Sequence, residues 1–287
     1  MTNRLNVLKT CKLYIGGKFS RTESEHYFQV FDKKKKPLAN LSRATRKDMR
    51  NAVKAARGAQ SGWAGRSAYN RGQILYRMAE MLEGRRDQFV AELERVAVSQ
   101  KKAEDETDAA IDRLVHYAGW TDKYPALFST VNPVASPHFN FSIPEPTGVT
   151  GIAAPDDQPL IGLVSLVAPV IAGGNSCVIL ASELYGSIAC TLAEIIHSSD
   201  VPGGVVNILT GFRGEIIPHM AKHMDINAIL SGADDLSAKK IIQENAHLNV
   251  KRVHFYEKTD WMKEASSSPY HILDFQEIKT TWHPVGI

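Results

Sequence analysis

The residues of this chain that could attack a substrate are few and widely separated. Its three cysteines are Cys11, Cys177 and Cys190. Cys177 lies within an apolar strand pattern and Cys190 on the apolar face of a helix pattern, so both are interpreted as small buried hydrophobic residues, not as reactive thiols. A sparse, odd-numbered set of cysteines predicts no disulfide framework and favours a reducing compartment.

A second candidate for chemistry is a pair of histidines. His219 and His223 stand four residues apart on a predicted helix, a spacing that can hold a metal ion. No glutamate follows His219, and no third ligand is evident in the sequence. We therefore interpret the pair as solvated histidines and predict no metal site.

The overall composition argues against several classes of partner. The 287 residues carry a formal charge of +3, which is too small to indicate binding to nucleic acid or to an anionic membrane. The single charge run, Lys33–Lys36 before Pro37, is interpreted as a solvated turn. The sequence shows neither an apolar signal core nor a stretch long enough to span a membrane, so we expect a cytoplasmic protein.

The first part of the chain predicts a hairpin followed by a helical layer. Leu13–Phe19 has the pattern of a strand, a Gly-Gly turn and a return strand. A helix-start signal at Thr45 and the apolar spacing that follows, up to Tyr117, predict four helices. Phe139, Phe141 and Ile143 then alternate with other residues, which predicts a half-buried strand.

From residue 147 to residue 256, short apolar strand patterns alternate with helix patterns. This alternation predicts an α/β fold with a doubly wound parallel sheet. One more strand is predicted near residues 275–281; it has no neighbour in sequence, so it has to join a distant sheet or another chain. The usual dinucleotide fingerprint, G-x-G-x-x-G, does not follow any of the predicted strands.

Several segments resemble the aldehyde dehydrogenase superfamily, and they occur in the family's order over nearly the whole chain. They are Leu13–Phe19, Glu145–Leu160, Pro169–Asn175, Pro202–Asn207 and Asn249–Val253. The resemblance implies a Rossmann-like doubly wound sheet with an oligomerisation arm of β-strands. Phe275–Thr281 resembles the family's C-terminal oligomerisation strand, and Phe139–Ile143 falls where the strand that pairs with it lies.

The resemblance also implies a division of the chain. Residues 1–136 form the hairpin and helical layer of the nucleotide-binding domain, and residues 137–146 an oligomerisation strand. Residues 147–262 form the Rossmann-like core, and residues 263–287 a linker with the C-terminal oligomerisation strand. In this organisation the chain is similar to the non-catalytic second half of the family 16 aldehyde dehydrogenases, with the catalytic domain missing.

The family's reaction is the addition of a cysteine thiolate to an aldehyde, followed by hydride transfer to a nicotinamide cofactor. It needs a carboxylate base and an amide that stabilises the oxyanion. Asp157 stands at the family's asparagine position and Tyr256 at its glutamate position. Glu257 is one step away, but strand alternation points it to the other face. The domain that holds the family's cysteine is missing, so we predict no catalytic residue.

The resemblance assigns four candidate cofactor-binding residues, Pro155, Glu183, Gly211 and Gly232. Glu183 matches a glutamate that binds ribose hydroxyls, although a carboxylate favoured at a helix N-terminus explains it equally well. Leu180 replaces a lysine and Ala233 a serine of the family's cofactor site, and Asp234-Asp235 disfavour a phosphate. We therefore expect that no cofactor is required and that NAD(P) binds at most weakly.

Three functional hypotheses follow. The first is a non-catalytic structural or regulatory subunit, which forms a homo-oligomer such as a dimer or pairs with a full-length aldehyde dehydrogenase through the arm strands. The second is an NAD(P)-dependent aldehyde oxidoreductase with residual or partner-dependent activity, for which Glu257 and Cys177 are the available groups. The third is an NAD(H)-binding regulator that performs no chemistry.

Overall fold

The computed structural model of the protein describes residues 7–96 and 98–286. The helices in these residues are α1 (Arg46–Ala64), α2 (Ala68–Glu83), α3 (Arg86–Val96), α4 (Gln100–Trp120), α5 (Lys123–Phe128), α6 (Pro159–Ala172), α7 (Gly186–His197), α8 (Arg213–Lys222), α9 (Leu236–Asn245) and α10 (Tyr270–Leu273). The strands are β1 (Lys9–Cys11), β2 (Leu13–Ile15), β3 (Lys18–Ser20), β4 (Tyr27–Phe31), β5 (Pro37–Ser42), β6 (Thr130–Asn132), β7 (His138–Pro146), β8 (Val149–Ala153), β9 (Ser176–Leu180), β10 (Val206–Leu209), β11 (Ala228–Ser231), β12 (Arg252–Phe255) and β13 (Gln276–Pro284).

The main sheet has the strand order β12-β11-β8-β9-β10-β2-β3. Its first five strands are parallel, and the β2–β3 hairpin adds two antiparallel strands at one edge. Strand β8 comes first in sequence among the parallel strands, and the winding reverses between β8 and β11. This is the doubly wound arrangement, so the predicted fold class is confirmed.

Helices cover both faces of the main sheet. Residues of α1, α8 and α9 form the apolar core on one face. On the other face α6 and α7 lie against the sheet, with α2, α3 and α4 packed in the same core. Because α6 is enclosed by the sheet and by these helices, each of its residues is buried.

Local sequence signals fix the first elements. Gly16 and Gly17 have φ angles of 61° and 77°, the left-handed values that the tight β2–β3 turn needs. The side chain of Thr45 accepts a hydrogen bond from the backbone N–H of Asp48, whose carboxylate accepts one in return from the backbone N–H of Thr45. This capping box starts α1 where the sequence predicted a helix start.

A small second sheet, with the order β1-β5-β4, was not predicted from the sequence. Its strands are short, and β1 has only three residues, so the alternating pattern is hard to detect. The Lys33–Lys36 run forms the turn between β4 and β5. The Asp32 carboxylate accepts hydrogen bonds of 2.8 Å from the backbone N–H groups of Lys34 and Lys36, which confirms the predicted turn.

The third sheet is the arm, defined here as β6, β7 and β13 in the order β13-β7-β6. The C-terminal strand joins this distant sheet within its own chain: β13 pairs with β7 at nine positions, from Gln276–Pro146 to Pro284–His138. The Asn175 side chain ties the arm to the core, because it accepts a hydrogen bond from Gly148 N–H and donates one to the Phe275 carbonyl.

The predicted half-buried strand is present as β7, but its buried side is the polar one. Asn140 and Ser142 are buried, whereas Phe139 is exposed and Phe141 only half-buried. The buried side is polar because hydrogen bonds join its side chains. Asn132 Nδ2 donates to Asn140 Oδ1 at 2.6 Å and to Ser142 Oγ at 2.9 Å.

The division of the chain into four segments stays a prediction. Residues 1–6, Ala97 and Ile287, which the predicted segments include, lie outside the described residues. In the described part of the chain, no helix combines the length and the apolar character that crossing a membrane requires.

Candidate functional site

The four candidate residues lie at one edge of the main sheet. Pro155, Glu183, Gly211 and Gly232 follow just after the carboxyl ends of β8, β9, β10 and β11, which are neighbours in the sheet. Doubly wound sheets bind ligands at this edge, in the crevice where the winding reverses. The fold therefore brings the four residues to the edge where a nucleotide would bind, and their role in binding stays a prediction.

The crevice between β8 and β11 is filled by a tryptophan of the chain itself. Trp261 is 2% exposed. A Cβ atom added to Gly162 would lie 3.0 Å from Trp261 Cδ1 and 2.6 Å from Pro155 Cγ. One added to Gly232 would lie 3.1 Å from Trp261 Cζ2 and 3.3 Å from Pro155 Cδ. The indole thus packs so tightly against both glycines that a methyl group does not fit beside it without a shift.

Polar contacts fix the segment that carries this indole. The backbone N–H of Trp261 donates to Gln158 Oε1 at 2.7 Å, and Gln158 Nε2 donates to Asp260 Oδ1 at 3.0 Å. Arg113 donates to the carbonyls of Trp261 and Ser266 at 3.0 Å and 2.7 Å. Gln158 holds a left-handed φ of 46°, which is uncommon outside glycine and is stabilised by these contacts.

An ion pair spans the same edge beside the indole. The Arg213 guanidinium binds both carboxylate oxygens of Asp156, at 2.5 Å and 2.9 Å, and the Ala154 carbonyl at 2.8 Å. Ser182 Oγ donates to Asp156 at 2.6 Å. The backbone N–H of Arg213, in the first turn of α8, donates to Glu183 Oε1 at 2.6 Å. Glu183 therefore acts as a helix-terminal carboxylate, but on α8 and not on the helix that follows it in sequence.

Negative charge collects at the mouth of the crevice. Partial desolvation, together with the nearby charges of Asp234, Asp156 and Asp260, raises the pKa of the Asp157 carboxyl. The Arg213 Nε atom is buried without a hydrogen-bond partner, but the charge of that guanidinium is already matched by Asp156. One such donor does not make a pyrophosphate site, so the side chains present here do not fit a nicotinamide dinucleotide.

The residues at the family's catalytic positions serve other contacts. Tyr256 Oη hydrogen-bonds to the Asp274 carboxylate and, at 2.9 Å, to His271 Nδ1. Glu257 forms an ion pair of 2.7 Å with Lys239 of α9. Tyr256 contacts the core on the α6 side and Lys239 lies on the α9 side, so the predicted opposite orientation of Glu257 is confirmed.

Cys177 and Glu257 are not brought together. Cys177 lies near the amino end of β9, and burial raises the pKa of its thiol. Glu257 lies beyond the carboxyl end of β12, three strands away. With strands about 4.8 Å apart and about 3.3 Å per residue, the two are on the order of 20 Å apart. Cys190 is also buried, as the sequence predicted.

His219 and His223 lie in and directly after α8, and both are half-buried. His223 Nδ1 accepts a hydrogen bond of 3.2 Å from the backbone N–H of Asp225. Within residues 7–96 and 98–286, no group of three or more His, Cys, Asp or Glu residues is arranged to hold a metal ion.

Comparison with known proteins identifies the family. The profile described as "Aldehyde dehydrogenase family" matches residues 19–256, and the chain belongs to this family. It is 30% identical over 250 residues to "Aldehyde dehydrogenase, cytosolic 1" of Elephantulus edwardii, covering 84% of this chain and 49% of that protein. It is 32% identical over 248 residues to an Aspergillus niger aldehyde dehydrogenase, covering 84% and 48%.

Solved structures confirm the fold. The NAD+ complex of the Bacillus cereus aldehyde dehydrogenase superposes with a TM-score of 0.82 at 24% identity, over 87% of this chain and 51% of that chain. The chain thus spans about half the length of the relatives that it matches. The family resemblance proposed from the sequence motifs is confirmed.

Sequence reasoning missed the two residues that close the crevice, Trp261 and Arg213. The available signal was weak: a tryptophan in an otherwise polar segment, and glycines at positions 162 and 232 that leave room for a large ring. The contact between Trp261 and Gly162 could not be predicted without the fold, because more than 90 residues separate the two in sequence.

The helix start beside the crevice gives a pH prediction. Glu106 is buried and accepts hydrogen bonds from the N–H groups of Leu160 and Ile161 at 2.8 Å and 3.4 Å. Burial raises its pKa from 4.5 to about 6. The folded state therefore keeps a proton that the unfolded state has lost, and the stability gained from this proton is present below pH 4.5 and lost as pH rises through about 6.

We expect Glu106→Gln to remove about 2 kcal/mol of this pH dependence, measured as the free energy of unfolding in urea between pH 4.5 and pH 7. Glu104→Gln, at a half-buried position of α4 whose side chain bonds only to Gln100, is the control and should keep the wild-type slope. An unchanged slope in Glu106→Gln would contradict the assignment.

Proposed function

We propose that this chain is a non-catalytic member of the aldehyde dehydrogenase family that acts as a structural or regulatory subunit. The observation that carries the proposal is the filled crevice at the carboxyl ends of β8 and β11. Trp261 occupies the space beside Gly162 and Gly232, and the Arg213–Asp156 ion pair spans the neighbouring strand ends. The family's reaction needs a nicotinamide cofactor to accept the hydride. If the chain's own side chains occupy the nucleotide-binding edge, catalytic groups beside that edge would have no cofactor to work with.

The proposal includes the cofactor. The Bacillus cereus aldehyde dehydrogenase was solved as an NAD+ complex. In this chain the indole would have to leave the crevice, and the pyrophosphate would have to approach several carboxylates. Both steps are unfavourable, because burying the indole stabilises the fold and like charges repel. No cofactor is required in this proposal, and NAD(P) binds at most weakly.

Assembly through the arm is the second part of the proposal. One side of the arm exposes Phe139 at 47% and Val131 at 66%, and the other exposes Ile278 at 55% and Trp282 at 57%. Strand β13 is an edge strand of this three-stranded sheet. An exposed edge flanked by large apolar side chains favours pairing with another chain. The partner is a second copy or a full-length aldehyde dehydrogenase, in the cytoplasm.

Cofactor titration tests the first part. We expect NAD+ or NADP+ to give no saturable heat at micromolar concentrations in calorimetry on the isolated chain, because Trp261 and Asp156 occupy the crevice. A full-length aldehyde dehydrogenase titrated under the same conditions is the positive control. Clear micromolar binding would contradict the proposal that the crevice is filled and would favour an NAD(H)-binding regulator. If the chain instead oxidises aldehydes, and Cys177→Ala abolishes that activity, the hypothesis of an aldehyde oxidoreductase would be established.

Light scattering on arm variants tests the second part. Phe139→Glu and Ile278→Glu each place a charge in the proposed interface, and we expect each to weaken association by about 3 kcal/mol, roughly a hundredfold in Kd. Leu236→Glu, at a position 81% exposed on α9, is the matched control and should leave the mass unchanged. A wild-type chain that stays monomeric, alone and when mixed with each full-length aldehyde dehydrogenase of its source cell, would overturn the assembly proposal.

A further inference from the structure

Two of the three cysteines meet at the junction between the small sheet and the main core. Cys11 lies on β1 and Cys190 on α7, 3% and 6% exposed. They share a satellite apolar cluster with Val30, Ala39 and Leu41. The third cysteine, Cys177, belongs to the separate core around α6. The pair is not used by the proposed function.

A neighbouring ion pair sets the register of β1 against α7. Lys9 Nζ binds Glu194 Oε1 at 2.9 Å. Residues two apart on a strand share a face, and residues four apart on a helix share a face. The Lys9–Glu194 contact therefore places Cys11, two residues after Lys9 on β1, next to Cys190, four residues before Glu194 on α7. Arg85 also binds Glu194 at 2.9 Å and Thr191 binds Glu92, so this part of α7 is held in place.

The chemistry of the pair is asymmetric. The interaction with the Cys190 thiol, with a smaller contribution from the Lys9 ammonium, lowers the pKa of the Cys11 thiol. The interaction with Cys11, together with burial, raises the pKa of the Cys190 thiol. A thiol with more thiolate character attacks an oxidant, and a neighbouring thiol then resolves the product. We propose that Cys11 and Cys190 form an oxidisable dithiol that a hydroperoxide converts into a reversible intrachain disulfide between β1 and α7.

The reaction balances with the hydroperoxide as the two-electron oxidant. The Cys11 thiolate attacks one peroxide oxygen, the O–O bond breaks, and Cys11 becomes a sulfenic acid while hydroxide leaves. Cys190, deprotonated by that hydroxide, attacks the Cys11 sulfur, forms the S–S bond and expels a second hydroxide, which takes up the remaining proton as water. With hydrogen peroxide, two thiols and one peroxide give one disulfide and two waters.

Access to the pair is through β1. This three-residue strand lies at an edge of its sheet. Lys9 and Thr10, the two residues before Cys11, are exposed. A short edge strand opens at lower free energy than the core strands. Cys177, which is fully buried in β9, lies outside this route and serves as the internal control.

Peptide mapping of the full chain after hydrogen peroxide treatment tests the proposal. We expect a cross-linked peptide that contains Cys11 and Cys190, a loss of two hydrogen atoms in mass, and a fall from three to one free thiols under denaturing conditions. Dithiothreitol should reverse all three changes. Because the bond closes a long loop, the oxidised chain should also melt several degrees higher than the reduced chain.

Matched variants separate the pair from general oxidation. Cys11→Ser and Cys190→Ser should each abolish the cross-link, and Cys177→Ala should keep it. The peptide map of the wild-type chain tests the proposal even if a variant fails to fold. Three free thiols after treatment, an over-oxidised Cys11 without a link, or a disulfide between two chains would each overturn it.

Discussion

The enclosure of α6 is the constraint on which the rest of this structure depends. Apart from Ser165 the helix is apolar over its full length, so every side of it has to be covered. The main sheet covers one side, and α2, α4 and α7 cover others. Helix α10 also packs against α6, and near the N-terminal end of the helix the Trp261 indole lies against Gly162. The side chain that fills the crevice therefore also helps to bury this helix.

Polar groups around α6 are satisfied in the same arrangement. Glu106 accepts from the first free N–H groups of the helix, and Arg113 donates to Ser165 within it. At the other end Trp63 Nε1 donates to the Ile171 carbonyl at 2.9 Å, and Arg71 Nε to that of Ala172 at 3.1 Å. Because Arg113 also holds the carbonyls of Trp261 and Ser266, the segment that fills the crevice is fastened to the same helical layer that encloses α6. Removing the indole from the crevice would disturb that layer as well.

Much of the fold could be predicted from sequence, because its signals are local. The Gly16-Gly17 turn, the start of α1 at Thr45 and the alternation of apolar strands with helices each reflect backbone geometry or burial on both faces. The family motifs added the pairing of β13 with β7, which no local pattern specifies. The arm strand also shows where periodicity fails: alternation in β7 was visible, but which side is buried depends on Asn132 and Thr280, which come from other strands.

The site was only partly predictable for the same reason. Pro155, Glu183, Gly211 and Gly232 could be placed from motifs, since each follows a strand that the pattern reveals. What occupies the space between them depends on Trp261 and Arg213, whose contacts are distant in sequence. The partner of Glu183 illustrates this: the carboxylate binds a helix N-terminus, as one interpretation predicted, but the helix is α8 and its first N–H belongs to Arg213.

Hydrogen–deuterium exchange, measured with and without saturating NAD+, tests whether the chain fills its own nucleotide crevice. We expect the amides of Trp261 and of the first turn of α6 to exchange slowly in the free chain. We expect NAD+ to change neither their exchange nor that of the loops around Gly211 and Gly232. Fast exchange at Trp261 in the free chain, with new protection at Gly211 and Gly232 when NAD+ is added, would contradict this expectation and show an open site that binds the cofactor.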